Sequence, residues 1–160
     1  MSSLVGVSVL DTYSAAAALQ SGKGFGLGDF HRDDTGRAYI YVQASAAIAA
    51  NDVVSFTTAY AAIALSTSND ARGNKVGVAP VAFAANEFGW VQVDGQASVN
   101  VLANAAANAR LNTTATAGKL DDDGGVGSMQ VQGVYLTTAN GAGTNATAAV
   151  LNYPFVDVTL

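Results

Sequence analysis

The chain has 160 residues and a formal net charge of −5, enough for one domain with a real core. It has no cysteine, which excludes disulfides, zinc–thiolate sites and cysteine nucleophiles, and its acidic balance argues against nucleic acid, which calls for a basic stripe. Charged residues make up 12%, about half the usual share of about 25%; the remaining Ala, Thr, Ser, Asn and Gly form a surface suited to protein–protein packing.

The N-terminus, Met1-Ser2-Ser3-Leu4, lacks the basic region and long apolar run of a signal peptide. No apolar run approaches the ~20 residues of a membrane span. The expectation is a soluble protein made in a cytoplasm, with no membrane partner. Leu4 to Leu10 reads as a short strand ended by Asp11. Ala15 to Leu19 has high helix propensity but is barely one turn long. Residues 1–24 are therefore expected to form an extended N-terminal arm whose order depends on what it packs against.

Ser21-Gly22-Lys23-Gly24-Phe25-Gly26-Leu27-Gly28-Asp29 superficially suggests a nucleotide loop. After Gly24 and Gly26 the third glycine of a dinucleotide fingerprint falls on Asp29, and no Gly-Lys-Ser/Thr is present. The run reads instead as an extended segment with one bare glycine face, which lets another backbone approach closely. Gly22, Gly24, Phe25, Gly26, Leu27 and Gly28 are the candidate contact residues.

Asp29, His31, Arg32, Asp33, Asp34 and Arg37 form the densest charge cluster. His31 is the only histidine, too few for a metal set of three or four ligands. The segment reads as a solvated loop turning at Asp33-Asp34-Thr35-Gly36. Arg37 to Gln43 is rich in aromatic and β-branched residues and reads as a strand. Val53 to Thr57 and Tyr60 to Leu65 follow as strands, and Lys75 to Ala79 leads into the most patterned stretch.

That stretch runs from Ala79 to Ala97. Ala85-Asn86-Glu87 is a turn signal, Trp90 to Asp94 alternates with the period of a strand, and Asp94-Gly95 reads as a second turn. The only Trp should be buried, with Val91 and Val93 on the face opposite Gln92 and Asp94. The phrase occurs twice: Ala44 to Phe56 aligns with Ala79 to Val91 at an offset of 35. Ile48 then meets Phe83, Asn51 meets Asn86 and Asp52 meets Glu87. A looser echo lies at Ala105 to Leu111. Two good copies and one poor one are too few for a solenoid, so they read as one device reused within a single domain.

Ala97 to Leu102 alternates again, and Asn104 to Asn108 reads as a helical turn or a wide loop. Leu111 to Ala117 is Thr-rich. Asp121-Asp122-Asp123 precedes Gly124 but lacks the spacing of a calcium loop, and reads as a solvated turn. Gln130 to Thr137, Thr147 to Pro154 and Phe155 to Leu160 carry the last strand signals. Short strands separated by turn signals indicate an all-β protein, a compact barrel or sandwich over residues 25–160. No Gly-x-Ser-x-Gly elbow is present, and one histidine leaves little room for a catalytic triad. The expectation is a protein that is not an enzyme and needs no cofactor.

Leu27-Gly28-Asp29, Thr35 to Ile48, Asn51 to Val54, Gly77 to Ala79 and Ala85 to Gly95, with the C-terminal Asn140 to Leu160, resemble a group of small tailed-phage head proteins. The resemblance implies a capsid decoration, or cement, protein. Such proteins are β-rich and often trimeric. They sit on the exterior of the assembled head and bridge neighbouring major capsid subunits. It therefore implies a virion location, a lattice of major capsid protein as partner, and self-association as a homotrimer. The competing reading is a carbohydrate-binding or adhesin-like module, with Trp90, Tyr39, Tyr41 and Tyr60 as a stacking platform.

Overall fold

The computed structural model describes residues 3–4, 7–14 and 25–158. Most of the expected arm, with Gly22 and Gly24, lies outside the described residues. None of the described residues is helical, and the domain is all-β.

Two short N-terminal strands, β1 (Ser3–Leu4) and β2 (Val7–Ser8), pair with each other. The body consists of β3 (Phe30–Arg32), β4 (Ala38–Ala44), β5 (Val53–Phe56), β6 (Ala61–Ala64), β7 (Lys75–Val78), β8 (Phe88–Val101), β9 (Leu111–Thr113), β10 (Leu120–Asp121), β11 (Gln130–Leu136) and β12 (Asn145–Asp157). The strands pair as one sheet that returns on itself twice. In the first ring β4 pairs with the N-terminal half of β8, β8 with β7, β7 with β5 and β5 with β6; β6 then closes on β4 in parallel. The second ring starts from the C-terminal half of β8. It runs through β12, β11, β9 and β10, and β10 closes on β8 in parallel. In both rings the first strand pairs with the fifth and closes in parallel on the third. The chain thus builds one five-strand pattern twice, and β8 belongs to both.

Period-two alternation on β8 explains how one strand serves two cores. Val91 and Val93 pack with Val42, Ile48, Val54, Phe56 and Phe83 in the first ring. Val99 and Val101 pack with Leu111, Leu120, Leu136 and Leu151 in the second. Alanine recurs in both cores, as the composition suggested: Ala38, Ala44, Ala62, Ala79 and Ala105 are all fully buried.

Asp94-Gly95, expected as a turn, does not end the strand. Asp94 pairs with both Ala38 and Asn152, and Gly95 pairs with Leu151. With partners on both sides, the chain passes from one ring to the next. Gly95 has φ +88°, and a Cβ there would sit 3.2 Å from the Arg37 Cα. The glycine is a local kink at the changeover. Likewise β12 runs through Pro154, because the register breaks opposite it at Gly133 and the missing N–H falls at a bulge.

The repeated phrase builds matching turns. In Ala49-Ala50-Asn51-Asp52 the Asp52 N–H donates to the Ala49 carbonyl at 3.2 Å, and the Asp52 carboxylate accepts from the Ala49 N–H. In Ala84-Ala85-Asn86-Glu87 the Glu87 N–H donates to Ala84 at 3.2 Å, and the Glu87 carboxylate accepts from the Ala84 N–H. Asn51 and Asn86 have φ 65° and 66°, a left-handed conformation that Asn tolerates. The two copies lie antiparallel, joined at their centres by a bridge between Ile48 and Phe83. In the second ring the corresponding positions are Asn108 (φ 57°) and Gly143 (φ 112°), three residues beyond the Ala105 and Asn140 joined by a backbone hydrogen bond; both are left-handed, but only Asn108 lies in a turn, and Gly143 lies in a bend. The echo at Asn108 has Ala109 where the first two copies have a carboxylate; there Asp122, from beside β10, accepts the Ala106 N–H instead.

Candidate interaction surface

Trp90, Tyr41 and Tyr39 stand on neighbouring strands, on the side of β4 and β8 opposite the first core, because Tyr41 pairs with Trp90 and Tyr39 with Gln92. Tyr41 and Phe25 each meet Trp90 edge-on at 5.1 Å between ring centroids, and their own rings lie 5.5 Å apart. Val9 and Phe88 complete the cluster. Burial, with a smaller push from Tyr13, raises the Tyr41 phenol to about 12, so it stays neutral. Trp90 Nε1 and His31 Nε2 are buried without a hydrogen-bond partner among the described residues.

The N-terminal segment is part of this cluster. Tyr13 and Phe88 exchange both backbone hydrogen bonds at 2.8 Å, and Val9 is 4% exposed. The arm drawn at residues 1–24 therefore contains a portion, Val9 to Tyr13, that is packed onto the body.

The glycine run departs from the expected extended segment. Asp29 N–H donates to the Gly26 carbonyl, and the Asp29 carboxylate accepts from the Gly26 N–H, so Gly26 to Asp29 is a tight turn. Gly28 N–H donates to the Tyr41 carbonyl at 2.8 Å. A Cβ on Gly28, at φ +89°, would overlap the Tyr60 ring. Its bare face is thus filled by a side chain of the same molecule. Of the expected contact residues within the described part, Phe25 packs on Trp90, Gly26 and Gly28 shape the turn, and Leu27 is 42% exposed.

Beyond the turn, β3 pairs only with β4 and leaves its other edge open among the described residues. Phe30 on this edge strand is 55% exposed. Arg32 fixes the strand to the body through Asp94 at 3.0 Å, the Tyr153 hydroxyl at 2.8 Å and the Gly36 carbonyl at 2.6 Å. The hairpin turns at Asp33 to Gly36 as the sequence indicated, yet Asp33 is buried rather than solvated. Its carboxylate accepts from the Thr35 hydroxyl and from the N–H groups of Thr35 and Arg37. Burial pushes this carboxyl up, but those hydrogen bonds together with the Arg37 charge outweigh it and leave it below the ordinary value.

Three further exposed aromatics escaped the sequence reading: Tyr135, Tyr153 and Phe155. Alternation marks two of them, since Tyr135 and Phe155 flank the core residues Val134, Leu136 and Val156. By contrast, Trp90, Tyr39 and Tyr41 are at most 3% exposed, which leaves only the half-buried Tyr60 of the four residues expected to form a stacking platform.

Grooves indent the surface formed by the described residues. One of about 440 Å³ is lined by Leu10, Arg37, Tyr39, Gln92, Gln96 and Thr137, among others. Another, about 410 Å³, lies between the Thr113 to Ala115 segment and the Asp121 to Ser128 loop. Among the described residues no three His, Asp or Glu side chains gather in a metal-binding group. Comparison with models of known protein families finds no match, and comparison with characterised proteins finds none either.

Proposed function

We propose that this protein binds the outside of an assembled phage capsid and stabilises it, acting as a homotrimer on a lattice of major capsid protein. The observation that carries the reading is the outer edge of β3, which has no partner strand among the described residues, with Phe30 exposed on it and Leu27 exposed on the adjoining Gly26–Asp29 turn. Such an edge accepts a strand from another chain, with backbone bonds giving affinity and side chains giving selection. The sparse charge and the resemblance of residues 25–160 to phage decoration proteins support the same reading. Binding to the assembled shell but not to free subunits makes the gain in shell stability a linkage effect, and repetition across a lattice adds avidity.

The test is to mix purified protein with capsids that lack it. Co-sedimentation and a higher temperature of DNA release are expected. Leu27→Asp with Phe30→Asp should abolish co-sedimentation while leaving the circular dichroism spectrum unchanged. Wild-type protein that fails to co-sediment overturns the capsid role. Full binding by the double variant overturns the assignment of this edge.

A further inference from the structure

We propose that Lys119 and Asn100 react with each other to form an intramolecular amide crosslink, with Asp52 as the proton carrier. The three side chains come from different elements. Asp52 closes the first repeat turn, Asn100 lies on β8, and Lys119 immediately precedes β10. Leu120 pairs in parallel with Val101, so Lys119, just before β10, and Asn100, on β8, each one residue earlier, lie beside each other where this pairing begins.

Both side chains converge on one oxygen. Asn100 Nδ2 donates to Asp52 Oδ1 at 2.8 Å, and Lys119 Nζ forms an ion pair with that same atom. Asp52 is 5% exposed, and the Lys119 side chain is 17% exposed. The turn itself uses only the other oxygen, Oδ2, for the Ala49 N–H. Backbone bonds fix the frame: Asn100 N–H donates to the Asn51 carbonyl at 2.9 Å, and the Gly118 carbonyl accepts from Val53 at 2.9 Å. A side chain at position 118 would overlap Asp52, so the glycine admits the close approach. Two reactants held on one general acid–base group are positioned for an otherwise slow amide exchange.

In the reaction, Asp52 takes a proton from the Lys119 ammonium and frees the amine as a nucleophile. Nζ attacks Asn100 Cγ, and the Cγ–Nδ2 bond breaks. Two protons leave Nζ in all and depart on Nδ2 as ammonium, and Asp52 ends ionised as it began. The product ties β8 to β10 and closes the second ring covalently.

Intact-mass spectrometry of the denatured protein reads the outcome. The expected mass is that of the sequence, with Met1 accounted for, less one ammonia, and fragmentation should join the peptides containing residues 100 and 119. Lys119→Arg keeps the charge and the ion pair but removes the nucleophile, and Asp52→Asn removes the proton carrier; each should restore the full mass. A wild-type protein at full mass overturns the proposal. So does an ammonia loss that persists in Lys119→Arg, which places it elsewhere, for example in a cyclised Asn140-Gly141. Loss of one water instead would join Lys119 to Asp52 and overturn the role given to Asn100.

Discussion

Replacing Trp90 by Ala should be among the costliest single changes in this protein. The indole is 1% exposed and holds Phe25 and Tyr41 edge-on at 5.1 Å each. Truncating a buried Trp to Ala typically costs about 3–5 kcal/mol. For a chain of this size each kcal/mol lowers the melting temperature by about 2–4 °C, so a fall of roughly 6–20 °C is expected. Trp90→Phe separates packing from polarity. It keeps an aromatic ring against Phe25 and Tyr41 and removes an indole N–H that is buried without an acceptor among the described residues. Relief of an unsatisfied donor, about 1–3 kcal/mol, offsets much of the lost volume, and the net cost should be under about 2 kcal/mol. Melting followed by far-ultraviolet circular dichroism suits both variants, because each removes the only fluorescent indole. An unchanged midpoint in Trp90→Ala would refute the packing argument. A Phe variant as unstable as the Ala variant would show that the N–H is satisfied after all.

The glycines separate two kinds of cost. Gly73→Ala, at φ +85° with nothing nearby, should lose only the left-handed penalty of about 1–2 kcal/mol, whereas Gly28→Ala must also displace Tyr60 and should lose about 1–3 kcal/mol more; equal shifts in urea midpoint would contradict this. Asn51→Ala and Asn86→Ala should each cost about 1 kcal/mol through the same left-handed backbone, while Asn→Gly at either position should be close to neutral, as chemical denaturation can check. Because the Asp33 carboxyl is held below its ordinary value, its contribution is fully present above the ordinary carboxylate range and is lost as pH falls through the lower folded value. The stability gap between wild type and Asp33→Asn should therefore be widest near neutral pH and shrink on acidification; a gap that widens in acid would reverse the sign of the argument.

Local signals carried well from sequence to structure. Strand positions follow from alternation and from aromatic and β-branched residues at Arg37 to Gln43 and Gln130 to Thr137, and the Asp33 to Gly36 hairpin follows from its turn residues. Burial of Trp90 and the opposition of Val91 and Val93 to Gln92 were legible for the same reason. What failed was any feature decided by a distant partner. Asp94-Gly95 carries a turn signal, yet pairing with Ala38, Leu151 and Asn152 overrides it. The glycine run has a bare face, but Tyr60, some thirty residues away, fills it at Gly28. Asp33 is a different kind of miss: its three donors are local, on Thr35 and Arg37, but its burial, which the turn residues do not reveal, is set by the fold. Asp52, Asn100 and Lys119 share no sequence window, so no spacing rule could bring them together.

The internal repeat shows how far a sequence signal reaches before topology takes over. The 35-residue offset was visible because the turns at Asn51 and Asn86 kept both the left-handed Asn and a following carboxylate. The second ring kept the left-handed positions but changed the residues. Gly143 reaches by backbone freedom the left-handed conformation that Asn86 tolerates, and Asp122 supplies from beside β10 the carboxylate that Ala109 lacks. The left-handed position thus recurs four times, although two copies are plain in the letters and a third is only a loose echo. The repeat also leaves a spare functional group. Glu87 and Asp52 both cap their turns, but only Asp52 sits where the first ring abuts the second, with Asn100 and Lys119 against its remaining oxygen. A residue kept for local turn geometry is thereby placed at the junction of the two rings, where a covalent link between Asn100 and Lys119 would close the second ring on the strand that both share.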